Sequence, residues 1–229
     1  MRVRVATTAL GITAVTVLAL PGCSASTTEV EPASARSGKP AAAGRNDAPL
    51  SSAALEERLL EVGDLGTGYA RKPERPTQHD DVTVLGCPAL NDLGGEAATG
   101  GSLDFSRQAK AAFTYGDGSD SEVSEELYSD TVGKLSDGTG RIFDAMSGCP
   151  EYQVLVGGTA IDITTQKTAP PQLGDERWSQ LMTFSAGRRD TVVKQTAIRD
   201  GSVLLVISGS PALVDRHIDK ALAKATAVG

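Results

Sequence analysis

The chain has 229 residues, with 29 acidic against 22 basic side chains and a formal net charge of −7. That balance, without a basic patch, removes the electrostatic basis for binding DNA or RNA and for adsorbing directly to anionic lipid headgroups.

Arg2 and Arg4 precede an apolar stretch from Ala6 to Leu20, broken by threonines and Gly11 and closed by Leu20-Pro21-Gly22-Cys23. The stretch is shorter than the ~20 residues that cross a bilayer. No stop-transfer charges follow, so residues 1–22 read as a secretory signal peptide. A cysteine at the cleavage point resembles the bacterial lipobox, although Pro21 is an unusual occupant of its middle position. The resemblance implies lipidation of Cys23, with the membrane as a partner reached through that lipid and the protein on the outer face of the cell membrane. Stable anchoring takes more than one acyl chain, which this modification supplies. Residues 23–49, rich in Ser, Ala, Pro, Gly and Thr and without an aromatic residue, cannot bury enough apolar surface to offset their ordering and read as a flexible tether.

Residues 50–229 suffice for one domain with its own core. A helix is expected over residues 51–61, with Ala54, Leu55, Leu59 and Val62 sharing a face and Gly63 near its end. A short strand over 67–71 and a second over 82–85 follow, then a short helix opened by Pro88. Ala109, Ala111, Phe113 and Tyr115 alternate as in a strand, and Val123, Glu125, Leu127 and Ser129 suggest another. Residues 131–147 read as a helix with Leu135, Ile142, Phe143 and Met146 inward, weakened by Gly138 and Gly140. Strands are expected over 159–165, 178–186, 191–198 and 203–208, with turns at Gly187-Arg188-Arg189-Asp190 and Asp200-Gly201. Pro211 opens a last helix whose apolar stripe is Leu213, Val214, Ile218, Ala221, Leu222 and Ala225. The fold class is α+β, a single domain with a largely antiparallel sheet flanked by helices.

With Cys23 lipidated, Cys87 and Cys149 remain, and an oxidising exterior favours a disulfide between them over two separately buried thiols. Closing so long a loop would disfavour the unfolded chain by roughly 4 kcal/mol in the entropy model. His79-Asp80-Asp81 is the one place where histidine and carboxylates crowd together, and its surroundings read as an exposed polar loop. His217 falls on the apolar side of the last helix, as a core-edge histidine does. Ser208-Gly209-Ser210 lacks the strand–turn–helix Gly-x-Ser-x-Gly arrangement and a histidine partner. Asp117-Gly118-Ser119-Asp120-Ser121-Glu122 is oxygen-rich but misses EF-hand spacing and reads as a hairpin turn. Arg188-Arg189 reads as an exposed turn, while Trp178 and Tyr115 are candidates for a cleft or for the core. No phosphate loop, dinucleotide fingerprint or compact metal-ligand pattern implies a cofactor or a metal.

Leu59-Leu60 with Asp64-Leu65-Gly66, the Cys87-Pro88-Ala89-Leu90 segment, Cys149 after the middle helix, and the four later strands with their closing helix carry a family resemblance. Over residues 50–229 the chain resembles the extracellular sensor-like domains of actinobacterial lipoproteins, related to the C-terminal domain of mycobacterial PknH-type receptor kinases. The resemblance implies a single α+β domain with a cleft for a ligand. The chain departs from the kinase sensors in offering one candidate bridge where they use two, and in lacking a kinase domain, so transmembrane signalling does not carry over. The expected function is a noncatalytic, lipid-anchored binding domain for a small hydrophobic ligand or an envelope protein. The alternatives are a cell-envelope hydrolase with a non-contiguous active site and a structural envelope lipoprotein.

Overall fold

The computed structural model describes residues 48–73, 82–94, 105–116, 121–156 and 158–227. Cys23, the expected signal peptide, nearly all of the expected tether, His79-Asp80-Asp81 and residues 117–120 lie outside these.

Two short helices open the described chain, α1 (Ser52–Glu56) and α2 (Val62–Leu65), where the sequence predicted one. The Ser51 side chain caps α1 by accepting the Ala54 N–H, as serine does at a helix start. The α-helical ladder ends at Glu57, since Arg58 and Leu59 bond three residues back to Leu55 and Glu56, and the Leu60 N–H then donates to the Glu125 side chain, 2.6 Å away. Glu61 then starts α2 through a capping box with Asp64. Gly63 lies inside α2, and Val62, expected inward, is 40% exposed while Leu59, Leu60 and Leu65 are buried.

Strand β1 (Tyr69–Arg71) and strand β2 (Val82–Leu85) follow, then α3 (Pro88–Leu93), β3 (Gln108–Tyr115), β4 (Glu122–Ser129) and α4 (Val132–Gly148). Gly138 and Gly140 do not interrupt α4. Gly138 is needed for closeness, since a Cβ there would lie 2.9 Å from the Phe105 ring. The later strands are β5 (Glu151–Val156), β6 (Thr159–Lys167), β7 (Glu176–Ala186), β8 (Arg189–Asp200) and β9 (Val203–Gly209), followed by α5 (Pro211–Ala225). Strand β5 was not among the expected elements, although Tyr152 and Val154 alternate correctly for it. Arg189 and Asp190, expected in a turn, belong to β8, and so does Asp200; the turns shrink to Gly187-Arg188 and Gly201-Ser202.

All nine strands pair antiparallel in the order β1-β3-β4-β9-β8-β7-β6-β5-β2, so the described residues form one open sheet in an α+β fold. Its two faces are covered at opposite ends. One face of β1, β3, β4 and β9 meets α1, α2 and α5 in a cluster that includes Leu55, Leu60, Phe113, Leu127, Leu205 and Ile218. On the other face, α3 and α4 cover the opposite end, around Val84, Leu90, Met146, Val154, Ile163 and Met182. Tyr128, Leu135, Phe143, Ala197 and Leu204 continue that second layer toward the centre.

The Cys87–Cys149 disulfide, with a Cα–Cα distance of 5.7 Å, joins the start of α3 to the end of α4. It ties the β2 edge to the long helix. Replacing both cysteines with alanine is expected to lower stability by roughly 2–4 kcal/mol in urea denaturation. An unchanged midpoint would show that the packing of α3 on α4 holds that edge unaided.

Candidate functional site

Because the two helical layers are offset, half of each sheet face is left without a helix. On the face that carries α5, the register across β5, β6, β7 and β8 aligns Glu151, Thr164, Thr183 and Val192 in one row. Gln153, Asp162, Ser185 and Asp190 form the next row, with Leu85 of β2 opposite Gln153. These side chains share a face with Leu127, Leu205 and Ile198, which α5 and its neighbours cover farther along. An open groove of about 460 Å³ runs over Leu85, Gly86, Glu151, Gln153, Asp162 and Thr164. Farther in on the same face, beyond the groove, Lys194 of β8 pairs with Asp215 of α5. The Gln153 amide donates to Asp162 at 2.9 Å. The floor therefore mixes carboxylates with the exposed apolar side chains of Leu85 and Val192, and Lys194 of β8 is already paired.

A second concentration of polar groups lies beneath α2 and α5. Glu125 of β4 is 1% exposed, and burial pushes its carboxyl up to about 7, against the Leu60 hydrogen bond that favours the charged form. Lys224 donates to Asp64 at 2.7 Å and holds that carboxyl below its ordinary value, chiefly through the hydrogen bond. Lys220 donates to the Asp64 carbonyl. His217 Nε2 and the Tyr69 hydroxyl lie 2.6 Å apart, and burial followed by the charge of Arg216 lowers the imidazole pKa.

Of the residues singled out from the sequence, Cys87 and Cys149 are brought together. His217 is buried against Tyr69, as a core-edge histidine. Trp178 is half-buried and stacks on Phe143, away from the groove. Tyr115 packs on Tyr69 and lies under the Arg216 guanidinium. Ser208 and Gly209 belong to β9, where a Cβ on Gly209 would meet the Glu122 carbonyl at 2.1 Å; that glycine serves strand approach. Glu122 pairs with Lys72 across the β3–β4 end of the sheet. Arg188 sits in a two-residue turn. No cluster of metal-ligating side chains occurs among the described residues.

Two features escaped the sequence reading. The groove escaped because β5 was missed, and β5 supplies Glu151 and Gln153. The buried Glu125 was visible as the one carboxylate in the alternating set Val123, Glu125, Leu127 and Ser129, all of which face the core.

The fold defines the class: an α+β domain on one open, wholly antiparallel sheet with helices on opposite ends of its two faces. It is similar to the crystal structure of the extracellular domain of PknH from Mycobacterium tuberculosis, with a TM-score of 0.60 and 13% identity over 78% of this chain and 98% of that one. The sensor-like resemblance is thus present as a likeness of fold. An uncharacterised protein from Mycobacterium smegmatis aligns with a TM-score of 0.38 and 9% identity over 71% of this chain and 91% of its own, a likeness too slight to argue from. No protein-family model and no curated protein sequence matches the chain.

Replacing Tyr69 with phenylalanine removes the partner of a buried imidazole and is expected to cost about 1–2 kcal/mol. Urea denaturation at neutral pH reads this, and an unchanged midpoint would show that His217 finds equivalent company elsewhere.

Proposed function

We propose that this protein is a noncatalytic, lipid-anchored binding domain outside the cytoplasm, and that its open half-sheet receives a cationic segment of another envelope protein. The observation that carries this is the charge of the floor. Glu151, Asp162 and Asp190 share the open face, while Lys194 is committed to Asp215. Gln153, Thr164, Thr183 and Ser185 between them offer hydrogen bonds, which suits a peptide surface better than a small hydrophobic molecule. The likeness to an extracellular domain supports a place outside the membrane. No helix among the described residues is long and apolar enough to cross a bilayer, and Cys23 supplies the attachment through its lipid.

The hydrolase alternative draws less support. His217 is enclosed with Tyr69 and does not line the open face.

Titration of a lysine-rich peptide into the isotopically labelled chain tests the binding face. Expected are amide shifts centred on Gln153, Asp162, Thr164 and Thr183, weakened several-fold by the double change Glu151→Gln and Asp162→Asn and by added salt. Shifts spread evenly over all acidic surfaces, or unaffected by the double change, would sink the reading. Anchoring is tested separately: Cys23→Ser is expected to move the protein from the membrane fraction to the medium and to abolish labelling by a radioactive fatty acid. Retention of the label in that variant would refute lipidation at Cys23.

A further inference from the structure

Residues 51–66, which carry α1 and α2, lie as an arm across the sheet between two fixed points. Before it, the Leu50 N–H donates to Ser129 Oγ at 2.8 Å, and Ser129 Oγ donates to the Ser202 carbonyl at 2.6 Å. After it, Tyr69 pairs with Tyr115 in the sheet and meets His217. Between these points the arm is held by Leu55, Leu59, Leu60 and Leu65, all buried, and by a few polar contacts. Arg58 donates to the Ala225 carbonyl at 3.2 Å, Asp64 binds Lys224, and Leu60 donates to Glu125.

The contact with Glu125 differs from the others. Oε2 accepts the Leu60 N–H, but Oε1 is buried without a hydrogen-bond partner. The register neighbours of Glu125 on the sheet are Ala111 and Ile207, which offer nothing polar. The charged groups that act on it are Lys224 of α5, Asp64 of α2 and Arg71 of β1. Lys224 is engaged by Asp64, whose own charge opposes ionisation of Glu125. A neutral carboxyl tolerates this site; a carboxylate with one bare oxygen does not.

We propose that residues 51–66 form a pH-sensitive flap, held shut over the sheet while Glu125 is uncharged and opened more often once it ionises. The sign follows from linkage. The closed state, with its raised carboxyl pKa of about 7 against an ordinary value of 4.5, holds the proton more tightly than the open, hydrated state. Closing is therefore strongest below the ordinary value and weakens as pH rises through the closed-state value. The four leucines keep the closed form dominant at every pH in this range; what changes is how often it opens. His217 and Asp64, two other shifted groups of this layer, have lowered pKa values and so act in the opposite sense, weakening the closed layer as pH falls.

Hydrogen exchange on the full chain tests the flap, with protection factors at Leu59, Leu60 and Leu65 corrected for intrinsic rates. Between about pH 5.5 and about pH 8.5 protection in the arm is expected to fall roughly 30-fold and to stay below that of β8 and β9 at both pH values, which separates opening of the arm from global unfolding. Glu125→Gln keeps the acceptor for Leu60 and is expected to abolish that pH dependence. Equal arm protection at both pH values, or the same pH dependence in Glu125→Gln, overturns the proposal. If that variant fails to fold, NMR titration of the Glu125 carboxyl carbon is read against arm exchange in the unaltered chain: a midpoint near 7 at which arm protection levels off upholds the flap, and a midpoint near 4.5, or arm protection that does not follow the titration, overturns it.

Discussion

Strands β8 and β9 are the constraint on which this architecture rests. Residues 195–199 and 203–207 are buried on both faces, so Ile198 and Leu205 face α5 while Ala197 and Leu204 face α4. A sheet of nine strands is too wide for one layer of helices from this chain to cover. The two layers instead overlap only at these central strands and diverge toward opposite edges. Of the two doubly buried strands, β9 accordingly carries a continuous apolar run, Val203 to Ile207, in place of alternation.

The polar residues inside this overlap show what that arrangement demands. Ser179 and Thr196 pair at 3.0 Å on one face, and Gln180 donates to Gln195 at 3.1 Å on the other. Arg199 donates to Asp175 and Glu176 and to the Gly201 carbonyl, which fastens the loop before β7 to the β8–β9 turn. Each makes at least one hydrogen bond to a neighbour, although Gln180 Oε1, Glu176 Oε2 and Arg199 Nε, like Glu125 Oε1, are buried without one. Glu125 differs in that its one hydrogen bond comes from the backbone of the segment laid over the sheet. That bond, from the Leu60 N–H, pins the chain between α1 and α2, where Leu59, Leu60 and Leu65 pack onto the sheet.

Much of this was legible in the sequence. The alternation in β3 and β4, the long hairpin of β7 and β8 and the apolar stripe of α5 are local patterns, and the structure keeps them. Pro88 and Pro211 stand at the first turns of their helices because proline needs no N–H there. Two of the failures were long-range. Helix periodicity over residues 51–61 cannot register a carboxylate 65 residues away that captures an amide. Gly138 looks like a helix breaker until Phe105 is seen packed on it. Strand β5 lies two residues beyond the end of α4 and two before β6, so its short alternation merges with the elements on either side.

The open half-sheet owes its form to the same offset, yet a solvated polar face is ordinary for an antiparallel sheet. What distinguishes this one is that its boundaries are fixed. On one side Lys194 and Asp215 tie β8 to α5. On the other, Leu85 and Gly86 form the rim and lead directly into Cys87, which the disulfide secures to the end of α4. Strand β2 has only four residues and is an outer edge, the kind of element that frays first when nothing restrains it. Holding that edge covalently fixes the rim relative to the end of α4. For the binding proposed above, rigidity of this kind would lower the entropic cost of association without adding a single contact.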